Sequence, residues 1–158
     1  MRLILCVSLF VVLGCSSTIQ PSKTIKKEEI VFNTISKGTL FGNGIEGILE
    51  EKFTIKNEKQ WQVFLNKINS VNSVSSSFSE ININFSNHII ICVFDTIRNT
   101  GGYAIEIERV FVEKKNLNVV YKKKEPGPME MVTTIITQPY HIVKIEKRGE
   151  DHKFINKN

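Results

Sequence analysis

Six consecutive residues, Ile89-Ile90-Ile91-Cys92-Val93-Phe94, are apolar without interruption. A strand with one wet face alternates, so an unbroken run of this length predicts a central strand covered on both faces. Around it a two-residue period recurs. Ile30 to Leu40 is rich in β-branched and aromatic residues, Phe41-Gly42-Asn43-Gly44 is a turn signal, and Ile45 to Ile55 resumes the pattern, which predicts a hairpin. Ile81-Asn82-Ile83-Asn84-Phe85 alternates as an edge strand would. Tyr103, Ile105 and Ile107 share one face; after Glu108-Arg109 the apolar phase moves to Val110 and Val112, the shift that a β-bulge produces. A turn at Lys114-Lys115-Asn116 and the alternation Leu117, Val119, Tyr121 complete a long hairpin. Met131 to Thr137 and His141 to Glu146 read as the closing strands. Pro139 between them has no N–H, which predicts a kink or an edge position at Gln138-Pro139.

One segment has the helical period instead. Trp61, Phe64, Leu65 and Ile68 fall at i, i+3, i+4 and i+7, and Asn57 followed by Gln60 three residues later is an N-terminal capping signal. The stripe predicts an amphipathic helix with Trp61, the sole tryptophan, as a core anchor. The Ser- and Asn-rich stretch from Asn69 to Asn87 begins as a loop. Together these elements predict an α+β fold that is mainly β: an antiparallel sheet or sandwich-like domain with one packed amphipathic helix.

The N-terminus changes the picture. Met1-Arg2 supplies a positive charge, and Leu3 to Leu13 is almost wholly apolar yet too short for a stable membrane span. Val12-Leu13-Gly14-Cys15 resembles the lipobox of bacterial lipoproteins. That resemblance implies removal of residues 1–14 as a signal peptide and acylation of Cys15, palmitate included. Each buried methylene contributes about 0.8 kcal/mol, so several acyl chains anchor a domain durably. Residues 15–29, with Pro21 and no sustained period, then read as a lipidated tether. Residues 30–147 read as a single β-rich domain and 148–158 as a frayed polar tail. The expected location is the bacterial cell envelope, lipid-anchored at the outer membrane.

The remaining composition narrows the chemistry. Of three cysteines, Cys6 lies in the signal and Cys15 at the lipid site, leaving Cys92 alone in its apolar run as a buried hydrophobe with no disulfide partner. The net charge of +5 is spread in short lysine runs interleaved with glutamates, which is a solvated surface rather than a nucleic-acid patch. His88, His141 and His152 lack local zinc-ligand spacing, no Gly-x-Ser-x-Gly elbow occurs, and Gly101-Gly102 precedes a strand instead of opening a helix as a phosphate loop does. The expectation is a non-enzyme with no metal, cofactor, nucleic acid or small-molecule substrate.

Recognition has better support. Asn99-Thr100-Gly101-Gly102-Tyr103, Glu125-Pro126-Gly127-Pro128 and Gln138-Pro139-Tyr140 are rigid turns bordered by β-sequence, and Met129 and Met131 follow the second. Loops displayed by a sheet commonly carry binding residues. The candidate partner-binding set is therefore Gly101, Gly102, Tyr103, Pro126, Gly127, Pro128, Gln138, Pro139 and Tyr140. Both tyrosines admit a second reading, as structural groups that cover the end of the core.

At these residues the sequence resembles the C-terminal domain of the PrcB family. The likeness runs over about residues 85–147 and rests on Thr100-Gly101-Gly102-Tyr103-Ala104-Ile105-Glu106-Ile107, Leu117-Asn118-Val119-Val120, Pro126-Gly127-Pro128 and Thr137-Gln138-Pro139-Tyr140-His141-Ile142-Val143-Lys144-Ile145. PrcB is an accessory lipoprotein of a secreted subtilisin-like protease complex. The resemblance implies a non-catalytic role in stabilising or assembling an envelope partner, a protease among the candidates. A second likeness is to chagasin-like cysteine-protease inhibitors, which wedge Thr-Gly-Tyr/Phe and Arg-Pro-Trp/Phe loops into a cleft. Thr100-Gly101-Gly102-Tyr103 and Gln138-Pro139-Tyr140 echo these, with an extra glycine and with Gln138 in place of arginine. The alternatives implied are direct protease inhibition and a structural lipoprotein.

Overall fold

The computed structural model describes residues 27–49 and 52–157. The signal segment, Cys15 and most of the tether lie outside the described residues. The apolar run forms β4 (His88–Phe94), and its neighbours explain its composition. It lies inside a sheet of order β2-β7-β4-β3, built with β2 (Asn33–Leu40), β3 (Lys52–Ile55) and β7 (Gln138–Glu146). On one face Ile90, Cys92 and Phe94 pack with Ile142 and Tyr140 under Trp61, Phe64, Leu65 and Ile68 of helix α1 (Glu58–Ile68). On the other, Ile89, Ile91, Val93, Val143 and Ile145 meet a second sheet of order β1-β5-β6-β8. That sheet comprises β1 (Lys27–Ile30), β5 (Ala104–Glu113), β6 (Asn116–Lys124) and β8 (Asp151–Asn156). The layers are helix, sheet, sheet, so β4 and β7 have apolar cover on both sides and no wet face on which to alternate.

Three sequence expectations hold in detail. Asn57 caps α1, its side chain accepting from Gln60 N at 2.9 Å. The β5–β6 hairpin turns at Lys114, which has φ 60°. A register shift between Ile107 and Arg109 marks the bulge, and because of it Ile105, Ile107, Val110 and Val112 all face the inter-sheet core.

Several expectations need correction. β2 and β3 are not a hairpin: they lie at opposite edges of their sheet, because the more apolar β4 and β7 take the interior positions between them. Ile81 to Phe85 is not a strand. Trp61 Nε1 donates to the Ile81 carbonyl at 2.8 Å, Phe85 N donates to the Ile83 carbonyl at 3.1 Å, and Ile83 is buried in the helix-side core. Met131 to Thr137 is also irregular; among the described residues its one β-bridge pairs Thr137 with Arg98, outside both sheets. The polar tail contains β8, parallel to β6, and half-buried Phe154 ties it to the inter-sheet core. The tether gives up its last residues to β1, whose Ile30 enters the same core.

Pro139 neither kinks β7 nor sits at an edge; β7 runs through it between β2 and β4. Asp95 N donates to the Pro139 carbonyl at 2.9 Å, and an ordinary residue at 139 would return an N–H to the Asp95 carbonyl. The Gln138 side chain supplies the missing donor: its Nε2 reaches the Asp95 carbonyl at 3.0 Å and the Ile48 carbonyl at 2.8 Å. A proline is tolerated in an interior strand here because its neighbour's amide replaces the lost ladder bond.

Candidate functional site

Where β4 ends, the chain places a charge at the edge of the core. Asp95 is fully buried and lies between two cations: Lys123 Nζ stands 2.7 Å from Oδ1, and Arg98 Nε and Nη2 stand 3.1 and 3.0 Å from Oδ2. Both Arg98 nitrogens donate to the one oxygen, Oδ2, and Lys123 takes the other, so each carboxylate oxygen faces a cation. Arg98 also lies over the Tyr103 ring at 4.4 Å and 3.8 Å from Glu125. One buried carboxylate thus joins the end of β4, the Gly-Gly-Tyr turn and the end of β6.

The loops close over this cluster. Gly101 N donates to the Thr133 carbonyl at 3.0 Å, and Thr137 Oγ1 donates to the Thr100 carbonyl at 2.7 Å. A Cβ on Gly101 would lie 2.5 Å from Thr133 Oγ1. Gly102 has φ +89°, and a Cβ there would lie 2.8 Å from Val132 and 2.9 Å from Pro126. Both glycines are therefore required by close approach, the second also by its backbone conformation. Past Pro126, Gly127 N donates to Glu130 Oε2 and Glu130 N donates back to the Gly127 carbonyl, each at 3.0 Å. This tight turn carries exposed Pro128 and holds out Met129, 98% exposed, with Met131, 99% exposed, just beyond.

The predicted set therefore divides. Gly101, Gly102, Tyr103, Pro126, Gly127 and Pro128 come together at one end of the sandwich. Gln138, Pro139 and Tyr140 do not join them on the surface. All three are buried in β7: Tyr140 is 4% exposed, stacked 5.8 Å from Phe94, with its hydroxyl 3.0 Å from Ser36 Oγ. Their assignment to a binding surface is corrected; they support the loop end from beneath. The same burial removes the last wedge of a chagasin-like inhibitor, since no Pro-Tyr loop projects. Asp95, Arg98 and Lys123 were absent from the sequence-derived set. Their local signal is a carboxylate directly after the apolar run with arginine three residues on.

Between the sheets lies a second polar feature. His141 is 2% exposed and receives the Ile107 N–H on Nδ1 at 2.9 Å, so its proton resides on Nε2, which donates to Thr34 Oγ1 at 3.0 Å. Ile107 borders the bulge, and the imidazole takes its N–H across to the other sheet. Burial foremost, then nearby Lys37, lowers the His141 pKa to about 4, against an opposing pull from Glu106. The ring is a neutral strut in a tautomer set by its two bonds.

Burial pushes the Cys92 thiol well above its usual range, away from nucleophilic thiolate. Among the described residues no group of three or more His, Cys, Asp or Glu could hold a metal ion. The arrangement can present a shaped, partly apolar surface to another macromolecule.

No curated protein and no solved structure matches the chain. Residues 89–146 match the family model described as PrcB C-terminal, a span that takes in β4 to β7 with the Asp95 cluster and both loops above it.

Proposed function

We propose that this protein is a non-catalytic, lipid-anchored component of the bacterial cell envelope whose loop end binds and stabilises a partner protein, and that the partner is an exported protease. The observation that carries the reading is the pair of almost fully exposed methionines, Met129 and Met131, on a loop whose base is fixed by a buried ion cluster. Apolar side chains held in water on a rigid support mark an interaction surface, and methionine adapts well to a partner's contour. Val132, Ile135 and Ile136 on the same loop and Ile97 beside it extend the apolar area. The PrcB match supports an accessory role in a protease complex. The lipobox-like Val12-Leu13-Gly14-Cys15 supports the anchor.

Replacing both methionines by aspartate tests the surface. The variant is expected to lose its co-purifying partner from detergent-solubilised envelopes while its melting temperature stays within a degree or two of the parent. Retention of the partner by a folded variant overturns the assignment. Cys15→Ser is expected to abolish palmitate labelling and to move the protein out of the detergent phase.

A further inference from the structure

A groove on the helix side of the β2-β7-β4-β3 sheet has a different chemistry from the loop end. It lies between α1 and β3, has a volume of about 390 Å³, and is floored by Phe53, Ile55, Val63 and Phe64. β3 is an edge strand: it pairs with β4 on one side, and among the described residues no backbone group pairs with the other. Every second residue of such an edge directs an N–H and a carbonyl outward, a template for another strand. On the helix side of the groove, Lys59, Val63 and Lys67 follow one another at i, i+4 and i+8 and so form one stripe. Val63 is exposed, and among the described residues neither lysine has an acidic partner. The nearby acid, Glu58, is turned to Gln62, whose Nε2 lies 2.6 Å from it.

The dimensions match an extended chain. Eight residues of helix separate the two lysines by about 12 Å along the axis. Four residues of strand span about 13 Å, and side chains four apart point to the same face. We propose that this groove binds an extended segment of another protein by strand addition to β3, and that the segment carries the pattern acid-x-apolar-x-acid. The central apolar residue would rest on Val63 and Phe53, and the two carboxylates would meet Lys59 and Lys67. The pattern is symmetric, so either strand direction satisfies it. The chain's own residues 16–26 are not this occupant, since they contain two lysines and no acid. This site is separate from the loop end and does not depend on its reading.

The test uses the full chain in a mild non-ionic detergent with a fluorescein-labelled peptide of sequence Thr-Glu-Thr-Val-Thr-Glu-Thr, read by anisotropy. A second peptide replaces both glutamates with lysine, and a third replaces the central valine with proline. The expected result is saturable binding of the glutamate peptide at least tenfold tighter than of either alternative. Lys59→Glu with Lys67→Glu, both on the exposed helix face, should reverse the preference so that the lysine peptide binds better; circular dichroism checks that the variant is folded. Equal affinity for the two charged peptides, an unchanged preference in the folded double variant, or no saturation up to millimolar peptide overturns the proposal.

Discussion

Acidification should loosen the sandwich at His141. Its imidazole is neutral in the folded protein with a pKa of about 4, whereas in the unfolded chain it is expected near the ordinary 6.5. The folded state therefore binds fewer protons than the unfolded state between those values, and stability falls as pH falls. The sign follows from the depressed histidine: its contribution is complete above about pH 6.5, declines through the window to about pH 4, and changes no further below it. The full loss is on the order of 3 kcal/mol, a large share of a single domain's stability. In structural terms, protonating Nδ1 removes the acceptor of the Ile107 N–H and places a cation beside Lys37. Urea unfolding followed through buried Trp61 between pH 7.5 and pH 4.5 gives the measurement. At typical urea dependences the midpoint should drop by on the order of 1–3 M. His152, also lowered by burial, adds in the same direction, so His141→Gln isolates the effect: the variant should show a shallower pH slope whatever its stability at pH 7.5. Equal slopes in parent and variant, or a His141 ring proton titrating near 6.5 by NMR, would refute the reasoning.

Two further outcomes separate support from surface. Asp95→Asn leaves Arg98 and Lys123 facing each other around an uncharged amide in a buried site, and should cost about 3–5 kcal/mol in thermal or urea unfolding. Tyr140→Ala should cost a similar 3–5 kcal/mol by opening a cavity against Phe94, while Tyr103→Ala, which removes a half-buried ring beneath Arg98, should cost about 1 kcal/mol or less.

What could be read from the sequence follows the range over which each element is determined. The α1 stripe with its Asn57 cap, the fully apolar β4 and the phase shift at Glu108-Arg109 are encoded within a few residues, and the structure has all three. The strand order is not local. Nothing near residues 30–55 says that β7, a hundred residues later, will separate β2 from β3. Ile81 to Phe85 has a strand's alternation, but the Trp61 indole takes the Ile81 carbonyl and local turns take those of Ile83 and Asn84, so the segment lies against the helix and not in a ladder. Pro139 is the clearest case. Proline chemistry argues for an edge, and only the adjacent Gln138 amide, folded back onto the Asp95 carbonyl, makes an interior position possible. The same amide accounts for the misplaced third of the candidate site, since a Pro-Tyr pair in an interior strand cannot be a displayed loop. β8 was hidden by its polarity: exposed on most of its residues, it is held by pairing to β6 and by Phe154.

The loop end as partner surface is tested most directly by placing a photo-crosslinking amino acid at position 131 and, in a second strain, at position 115. Lys115 lies in the β5–β6 turn, at the opposite end of β5 from the Gly-Gly-Tyr turn. Irradiation of living cells should give a discrete adduct from position 131, identified by mass spectrometry as an exported protease, and none of that mass from position 115. No adduct from position 131, or the same adducts from both ends, would contradict the account.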